Sequence, residues 1–231
     1  PLSATVLVLA DDGLKVAIFD CDLLGFDLAL VAEICAMVAE RLGTEPHCIA
    51  LGCTHTHNGP CTIRHVLGGP HDVGCREEQR EVQEAYIAEL IGQLSDLAAL
   101  ADSRRQPARA AAGRGEADAA VNREEKNVDG RILVGRNTEG TVDHSVDVLR
   151  VDDVQGQPIA VLVGYAAHPV VMGMDIYAYS TDYPGTVRRI VEDVTGATCL
   201  FLTGAAGNQA TWSFLQGDWS EKERMWGLVG C

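Results

Sequence analysis

The sequence lacks several features that mark common classes of protein. Basic residues are few, because 18 lysines and arginines stand against 33 aspartates and glutamates, for a formal net charge of -15. A field of that sign repels phosphate backbones and anionic lipid surfaces, so we expect no nucleic-acid partner. No apolar run reaches the roughly 18 residues that a membrane span requires. We therefore predict no transmembrane segment.

Several motifs are absent as well. The eight cysteines include no Cys-x-x-Cys pair, which argues against a zinc ribbon or a thioredoxin-type site. There is no Gly-x-Ser-x-Gly elbow, so a serine hydrolase is disfavoured, and GAAGN lacks the Lys-Ser/Thr of a phosphate loop. Most cysteines lie in apolar runs, where we expect reduced core residues. A disulfide among Cys53, Cys61 and Cys75 remains an alternative.

The length and hydrophobic content set the scale of the fold. With 231 residues, 47% of them hydrophobic, the chain suffices for one sizeable core or for most of a large domain. It begins at Pro1 without a methionine and stops at Cys231 straight after a helix-like stretch. We therefore expect both natural ends to be missing. The sequence leaves the oligomeric state open.

Local patterns predict an α/β fold with mixed sheets flanked by helices. The run ATVLVLADDGLKVAIFDCD has two β-rich halves around Asp-Asp-Gly, which is typical of a hairpin. Helical spacing of apolar residues predicts helices over 27–42 and 76–102 and in TDYPGTVRRIVEDVTG. The remaining predicted strands are HCIALGC, HSVDVLRVDD, PIAVLVGYAA and ATCLFLTG. Between Pro107 and Gly140, small, charged and glycine residues suggest further strands and loops.

Two groups of histidines follow predicted central strands. The chain has seven histidines, yet His55 and His57 lie one residue apart in CTHTHNGP, directly after HCIALGC. His168 follows the apolar run PIAVLVGYAA. Ligand sites in α/β sheets lie outside strand ends, and neutral imidazole is a common zinc ligand. The pattern indicates a candidate metal site, with solvated or structural histidines as the alternative.

Several motifs together resemble the neutral, non-lysosomal ceramidase family and its bacterial relatives. CTHTHNGP is similar to the Thr-His-Thr-His-Ser-Gly-Pro motif of that family. In matching order follow AVNREEKNVDGRILVGRNTEGTVDHSVDVLRVDD, GYAAHPVVMG, STDYPGTVRRIVED and CLFLTGAAGNQAT. Together they cover nearly the whole chain, which is more specific than any single motif. The resemblance implies that residues 1–231 are the N-terminal part of a ceramidase-like catalytic domain.

The resemblance also implies an activity and a set of site residues. It implies a zinc-dependent amidohydrolase, in which metal-activated water cleaves the amide bond of an N-acylated, lipid-like substrate such as a sphingolipid. His55 and His168 would bind zinc, and His57 would stabilise the oxyanion or move a proton. Arg123 would anchor the substrate, with a solvated surface charge as its alternative. The remaining zinc ligands, a glutamate and a tyrosine, are expected downstream of residue 231, and the family suggests a secreted or periplasmic location.

One departure from the family pattern keeps other functions in consideration. Ala210 stands where the family has an active-site serine, which weakens ceramide as the specific substrate. One alternative is a non-catalytic member that keeps the fold as a binding or structural module. Another is a metal hydrolase of a small non-lipid ester or amide. Asp20 and Asp22 could support a metal ligand or merely form a strand-end turn, and Asp182 is expected to cap a helix.

Overall fold

The chain forms mixed sheets and helices, as the sequence predicts. The computed structural model describes residues 1–63, 77–173 and 178–215. In this part, ten strands form three sheets and accompany three α-helices. The fold clusters into two compact units. The N-terminal unit comprises Ser3–Cys53 and Gly59–Gln106, and the C-terminal unit comprises Pro1–Leu2, Thr54–Asn58 and the chain from Pro107 onward.

The N-terminal unit is a three-stranded sheet covered by two helices. Its elements are β1 (Ala4–Asp11), β2 (Leu14–Cys21), α1 (Leu28–Leu42), β3 (Ile49–Cys53) and α2 (Glu77–Ser103). The first two strands form the predicted hairpin, and its turn residues Asp12 and Gly13 both have positive φ angles, 41° and 91°. The third strand pairs in parallel with the second, so that Cys21 lies opposite Cys53.

The ends of α1 follow from its flanking residues. Asp27 precedes the helix, and its carboxylate accepts a hydrogen bond from the Leu30 amide. Gly43 ends the helix in the left-handed conformation, at φ 66°, as glycine does at helix ends. The buried face of the helix, including Ile34 and Val38, packs into the core of this unit.

The C-terminal unit contains the other two sheets and one helix. Its elements are β4 (Ala108–Glu116), β5 (Ala120–Lys126), β6 (Ile132–Asn137), β7 (Ser145–Asp153), β8 (Pro158–Tyr165), α3 (Asp182–Thr195), β9 (Thr198–Thr203) and β10 (Gln209–Thr211). One sheet has the order β4-β7-β8-β9 and the other β10-β5-β6. Most of β8 is buried, as its continuous apolar run predicts.

Parallel pairing of β8 and β9 places the C-terminal ends of both strands, and the segments that follow them, at the same end of the sheet. Tyr165 and Thr203, the last residues of these strands, are register partners. The Gly204 amide then donates to the Tyr165 carbonyl at 3.1 Å. The chain after β8 leads to His168, and the chain after β9 forms a loop that returns as β10. Both segments therefore leave the sheet at the end where α/β folds place ligand sites.

The cysteine prediction holds for the described residues, while some expectations fall outside them. Six described cysteines are free, and four of them are buried: Cys21, Cys35, Cys48 and Cys199. Cys75 and Cys231 lie outside the described residues. Within those residues, no helix combines the length and apolar character needed to cross a membrane.

Candidate metal centre

Three histidines of the C-terminal unit converge on one point. Each of His55, His57 and His168 offers a ring nitrogen, and these nitrogens all lie within 4.8 Å of one another. The ring centroids of His55 and His168 are 4.6 Å apart, and those of His57 and His168 are 5.0 Å apart. Three imidazoles at this spacing form a donor set that could hold a metal ion. The structure thus brings together the three histidines that the sequence singles out.

Two threonines anchor the segment that carries His55 and His57. Thr54 and Thr56 are fully buried. The Thr56 hydroxyl donates to the Ser180 carbonyl at 2.7 Å, and the Thr54 carbonyl accepts from the Thr203 hydroxyl at 2.8 Å. The alternating Thr-His-Thr-His pattern matches an alternation in burial, because both threonines are buried while His55 is partly exposed and His57 is exposed.

His55 adopts an unusual backbone conformation. Its φ angle is 65°, in the left-handed region that residues with a Cβ rarely occupy. β3 has already ended at Cys53, so the turn redirects the chain just after the strand. Such strained positions persist where the surroundings hold them in place, and they cluster at functional sites.

His168 is held through both its main chain and its ring. The residue is 8% exposed, and its amide donates to the Gln209 carbonyl at 2.9 Å. The ring Nδ1 lies 3.2 Å from the Ala206 carbonyl oxygen. Because a carbonyl only accepts, Nδ1 must carry the proton in this contact. Nε2 is then left with its lone pair, as a metal ligand needs.

The burial and charge of the centre favour neutral imidazoles. Burial lowers the pKa of His168 to about 4, with smaller contributions from Arg123, His55 and His57. Partial desolvation lowers the pKa of His57 too, assisted by His55 and Arg123. A neutral imidazole is the form that binds metal. The lowered pKa values therefore keep the rings of His57 and His168 in that form at neutral pH.

Arg123 lies in β5 and is tied to the loop after β9. Its amide donates to the Asn208 carbonyl at 2.8 Å, and its Nε donates to the Gly207 carbonyl at 2.9 Å. The side chain is half-buried, and desolvation lowers its own pKa. The neighbouring Glu124 and Glu125 are exposed. Arg123 is thus a partly desolvated cation whose charge acts on the histidines.

Other residues singled out from the sequence have different surroundings. Ala210 is fully buried in β10 and forms a parallel bridge with His168, so its position does adjoin the centre. Asp182 begins α3 at a φ of 51°, and its carboxylate accepts from the Met172 and Tyr183 amides. Asp182 therefore accepts a hydrogen bond from an amide in the first turn of α3, and it also links this helix to the loop after His168. Asp20 and Asp22 belong to the N-terminal unit.

Two residues that support His168 were missed by sequence reasoning. The buried Gln209 amide donates to the Ala166 carbonyl, and the buried Tyr183 hydroxyl donates to the Ala167 carbonyl at 2.7 Å. Both bonds end on main-chain carbonyls, which have no sequence signature of their own. A glutamine directly before the buried Ala-Thr of β10 is the one signal that could have identified the first.

Solved structures of ceramidases are similar to this chain, whereas the comparisons of its sequence found no match. The sequence matches no protein-family model and no curated protein. Among solved structures, it is similar to the neutral ceramidase from Pseudomonas aeruginosa, with a TM-score of 0.69 and 20% identity over 95% of this chain. A ceramidase complexed with C2 matches with a TM-score of 0.68 and 21% identity over 96% of this chain.

The match is extensive for this chain and partial for the ceramidases. The chain spans 36% of the length of the first structure and 35% of the second. At these identities the comparison concerns the fold, and it agrees with the colinear motifs. The resemblance predicted from those motifs is therefore confirmed in structure: this chain has a ceramidase-like fold, corresponding to about one third of a neutral ceramidase.

Proposed function

We propose that the chain is part of the catalytic domain of a zinc-dependent amidohydrolase that cleaves an amide bond in an N-acylated, lipid-like substrate. The observation that carries this proposal is the convergence of His55, His57 and His168 within a ceramidase-like fold. The donor set suits zinc, because neutral imidazole nitrogens are among its preferred ligands. Within the proposal, His55 and His168 hold the metal.

Zinc at this position would supply a Lewis acid and lower the pKa of a water molecule to about 7. The chain's own residues prepare the centre for that chemistry. Ala206 fixes the His168 proton on Nδ1, and burial keeps the ring neutral. The hydrogen bonds of Thr54 and Thr56 hold the segment that carries His55 and His57, so metal binding would require no large reorganisation of these rings.

His57 is proposed to stabilise the oxyanion or to transfer a proton. It is the most exposed of the three rings, so substrate can reach it. Its lowered pKa keeps it neutral near pH 7, and a neutral imidazole can accept a proton at one nitrogen while donating from the other. His57 could thus stabilise a developing oxyanion by donation or receive a proton from the attacking water.

Arg123 is proposed to anchor the polar end of the substrate. Its Nε is used by the Gly207 carbonyl, which fixes the guanidinium while leaving further N–H groups available. Its positive charge acts on both His57 and His168, which indicates proximity to the reacting centre. Partial burial strengthens a charge-assisted hydrogen bond to a substrate oxygen.

A second candidate function is a binding module that keeps the fold without catalysis. The observation that favours it is Ala210, which adjoins His168 and places a methyl group where the ceramidase motif has a serine hydroxyl. The same observation fits a metal hydrolase whose substrate is a small non-lipid ester or amide. The three candidates differ in whether a bond is cleaved and in which bond it is.

Metal content of the purified full-length parent protein tests the proposal, because the resemblance implies that the remaining zinc ligands lie downstream of residue 231. We expect about one zinc per chain by elemental analysis, with loss of zinc in His55→Ala and His168→Ala. His47→Ala is the matched control, because His47 is exposed and belongs to the N-terminal unit. A zinc-loaded protein should then release fatty acid from N-acyl amides. Absence of zinc after incubation with the metal would overturn the proposal, and zinc without hydrolysis would favour the binding module.

A further inference from the structure

The loop between β9 and β10 bonds to both His168 and Arg123 through its main-chain carbonyls. Its carbonyls at Ala206, Gly207 and Asn208 accept from His168 Nδ1, Arg123 Nε and the Arg123 amide, respectively. Three successive peptide groups thus hold a proposed metal ligand and a proposed substrate anchor. The position of this loop decides where both side chains point.

Gln209 ends this loop and is almost completely buried, at 2% exposure. Its side chain uses both ends of the amide. Oε1 accepts from the Asp143 amide at 2.9 Å, while Nε2 donates to the Asp143 carbonyl at 3.2 Å and to the Ala166 carbonyl. A buried amide with three main-chain partners is a rigid connection, because each lost bond would leave a buried polar group unpaired.

The main chain of Gln209 is bonded to the same segments. Its carbonyl accepts from the His168 amide at 2.9 Å, and its amide donates to the Ala206 carbonyl at 3.3 Å. That carbonyl is also the acceptor for His168 Nδ1. Gln209 therefore contacts the chain just before His168, the His168 amide and the carbonyl that fixes the His168 tautomer.

We propose that Gln209 is a positioning residue for the metal-binding ring of His168. By locking the loop against the Ala166–His168 segment, it holds the Ala206 carbonyl against Nδ1 and keeps the Nε2 lone pair toward the centre. This inference rests on the proposed zinc site and adds a residue that touches neither metal nor substrate. Partners that orient a histidine ligand typically change metal affinity by about ten- to a hundredfold.

The test uses Gln209→Glu and Gln209→Met in the full-length parent protein. Glutamate keeps the shape and one acceptor but places an oxygen against the Ala166 carbonyl, while methionine removes all three side-chain bonds. Gln83→Glu is the matched control, because Gln83 Nε2 also donates to a main-chain carbonyl, that of Cys61 at 2.9 Å, in the N-terminal unit.

Two readouts separate positioning from a general loss of structure. The first is the zinc dissociation constant, measured by competition with a chelator. The second is the tautomer of His168 in the metal-free protein, from long-range ¹⁵N–¹H NMR correlations. We expect the Nδ1–H tautomer in the unsubstituted protein. In both Gln209 variants we expect mixed tautomers and zinc binding weakened by about ten- to a hundredfold, with neither change in Gln83→Glu.

The outcomes distinguish this inference from the proposed function. If zinc binds and the Gln209 variants behave as Gln83→Glu does, the positioning role is wrong while the metal site stands. If no zinc binds, the proposed function fails, and the tautomer measurement still decides the role of Gln209. If Gln209→Met does not fold, Gln209→Glu, which keeps the shape of the side chain, decides by the same two readouts. A predominant Nε2–H tautomer of His168 in the unsubstituted protein would also overturn the inference.

Discussion

The Nε2 atoms of His57 and His168 lie 2.9 Å apart. Since His168 carries its proton on Nδ1 against Ala206, its Nε2 is the acceptor and His57 is the donor. A metal ion bound at His168 Nε2 would need the same lone pair. The metal-free arrangement therefore keeps the rings close through a hydrogen bond, and metal binding would free the His57 N–H for another partner.

The first prediction concerns the titration of His168. Burial lowers its pKa from 6.5 to about 4, so we expect its ring resonances to stay unchanged from pH 8 to about pH 5 and then move with a midpoint near 4. The measurement is an NMR pH titration of the metal-free protein. A midpoint near 6.5 would contradict the buried, Nδ1-protonated ring.

The same shift predicts how stability depends on pH. The folded state disfavours protonated His168, so the unfolded state binds more protons below pH 6.5. The contribution is complete above pH 6.5 and is lost as the pH falls toward about 4, by roughly 3 kcal/mol in total. In urea unfolding across this range, His168→Asn should lose that part of the pH dependence, whereas an unchanged slope would argue against it.

The second prediction concerns Arg123, whose positive charge lowers the pKa of both His57 and His168. Arg123→Met removes the charge and keeps much of the side-chain length. We expect both histidine pKa values to rise, as measured by NMR titration. Arg114→Met is the control, because Arg114 is exposed and paired with Asp147, and it should leave both values in place. Unchanged histidine pKa values in Arg123→Met would show that the guanidinium is too far away to act on the centre.

The sequence predicted most of the fold because its signals are local. Two β-rich runs around Asp-Asp-Gly indicated the first hairpin, and the spacing of apolar residues with Gly43 as a cap indicated α1. The stretch between Pro107 and Gly140 was harder to divide. Its strand β4 is exposed along its whole length, so there is no buried face to impose an alternating pattern.

The candidate site was predictable in its side chains and unpredictable in its supports. Histidines at two strand ends indicated the centre, since strand ends in α/β sheets are ligand sites. The Ala206 and Gly207 carbonyls that hold His168 and Arg123 could not be foreseen, because every residue has a carbonyl. The left-handed backbone of His55 could not be predicted from the sequence either. A glycine or asparagine at this position would have indicated a positive φ angle, but a histidine does not.

The third prediction concerns Tyr183, whose hydroxyl donates to the Ala167 carbonyl at 2.7 Å in a fully buried environment. Tyr183→Phe leaves this carbonyl beside an apolar ring edge. We expect the free energy of unfolding to fall by about 1–3 kcal/mol, measured by urea denaturation. Tyr179→Phe is the control, because Tyr179 is 73% exposed, and it should be nearly neutral. Equal stabilities of the two variants would show that the bond contributes little.

The last prediction separates the backbone role of His55 from its proposed ligand role. Both His55→Gly and His55→Ala remove the imidazole, so both should lose zinc. The two variants should differ in stability, because a left-handed φ of 65° is unfavourable for alanine and readily adopted by glycine. We expect the glycine variant to be more stable by roughly 1 kcal/mol in urea denaturation.

The same pair of substitutions at His47 provides the control. His47 lies in the 3-10 turn Pro46–Cys48 and is not among the described residues with positive φ. There the order should reverse, with alanine more stable than glycine by about 0.5–1 kcal/mol, because glycine loses more conformational freedom on folding. If His55→Ala proved as stable as His55→Gly, the turn after β3 would not depend on a left-handed residue. The turn at His55 would then not explain why the three imidazole rings converge.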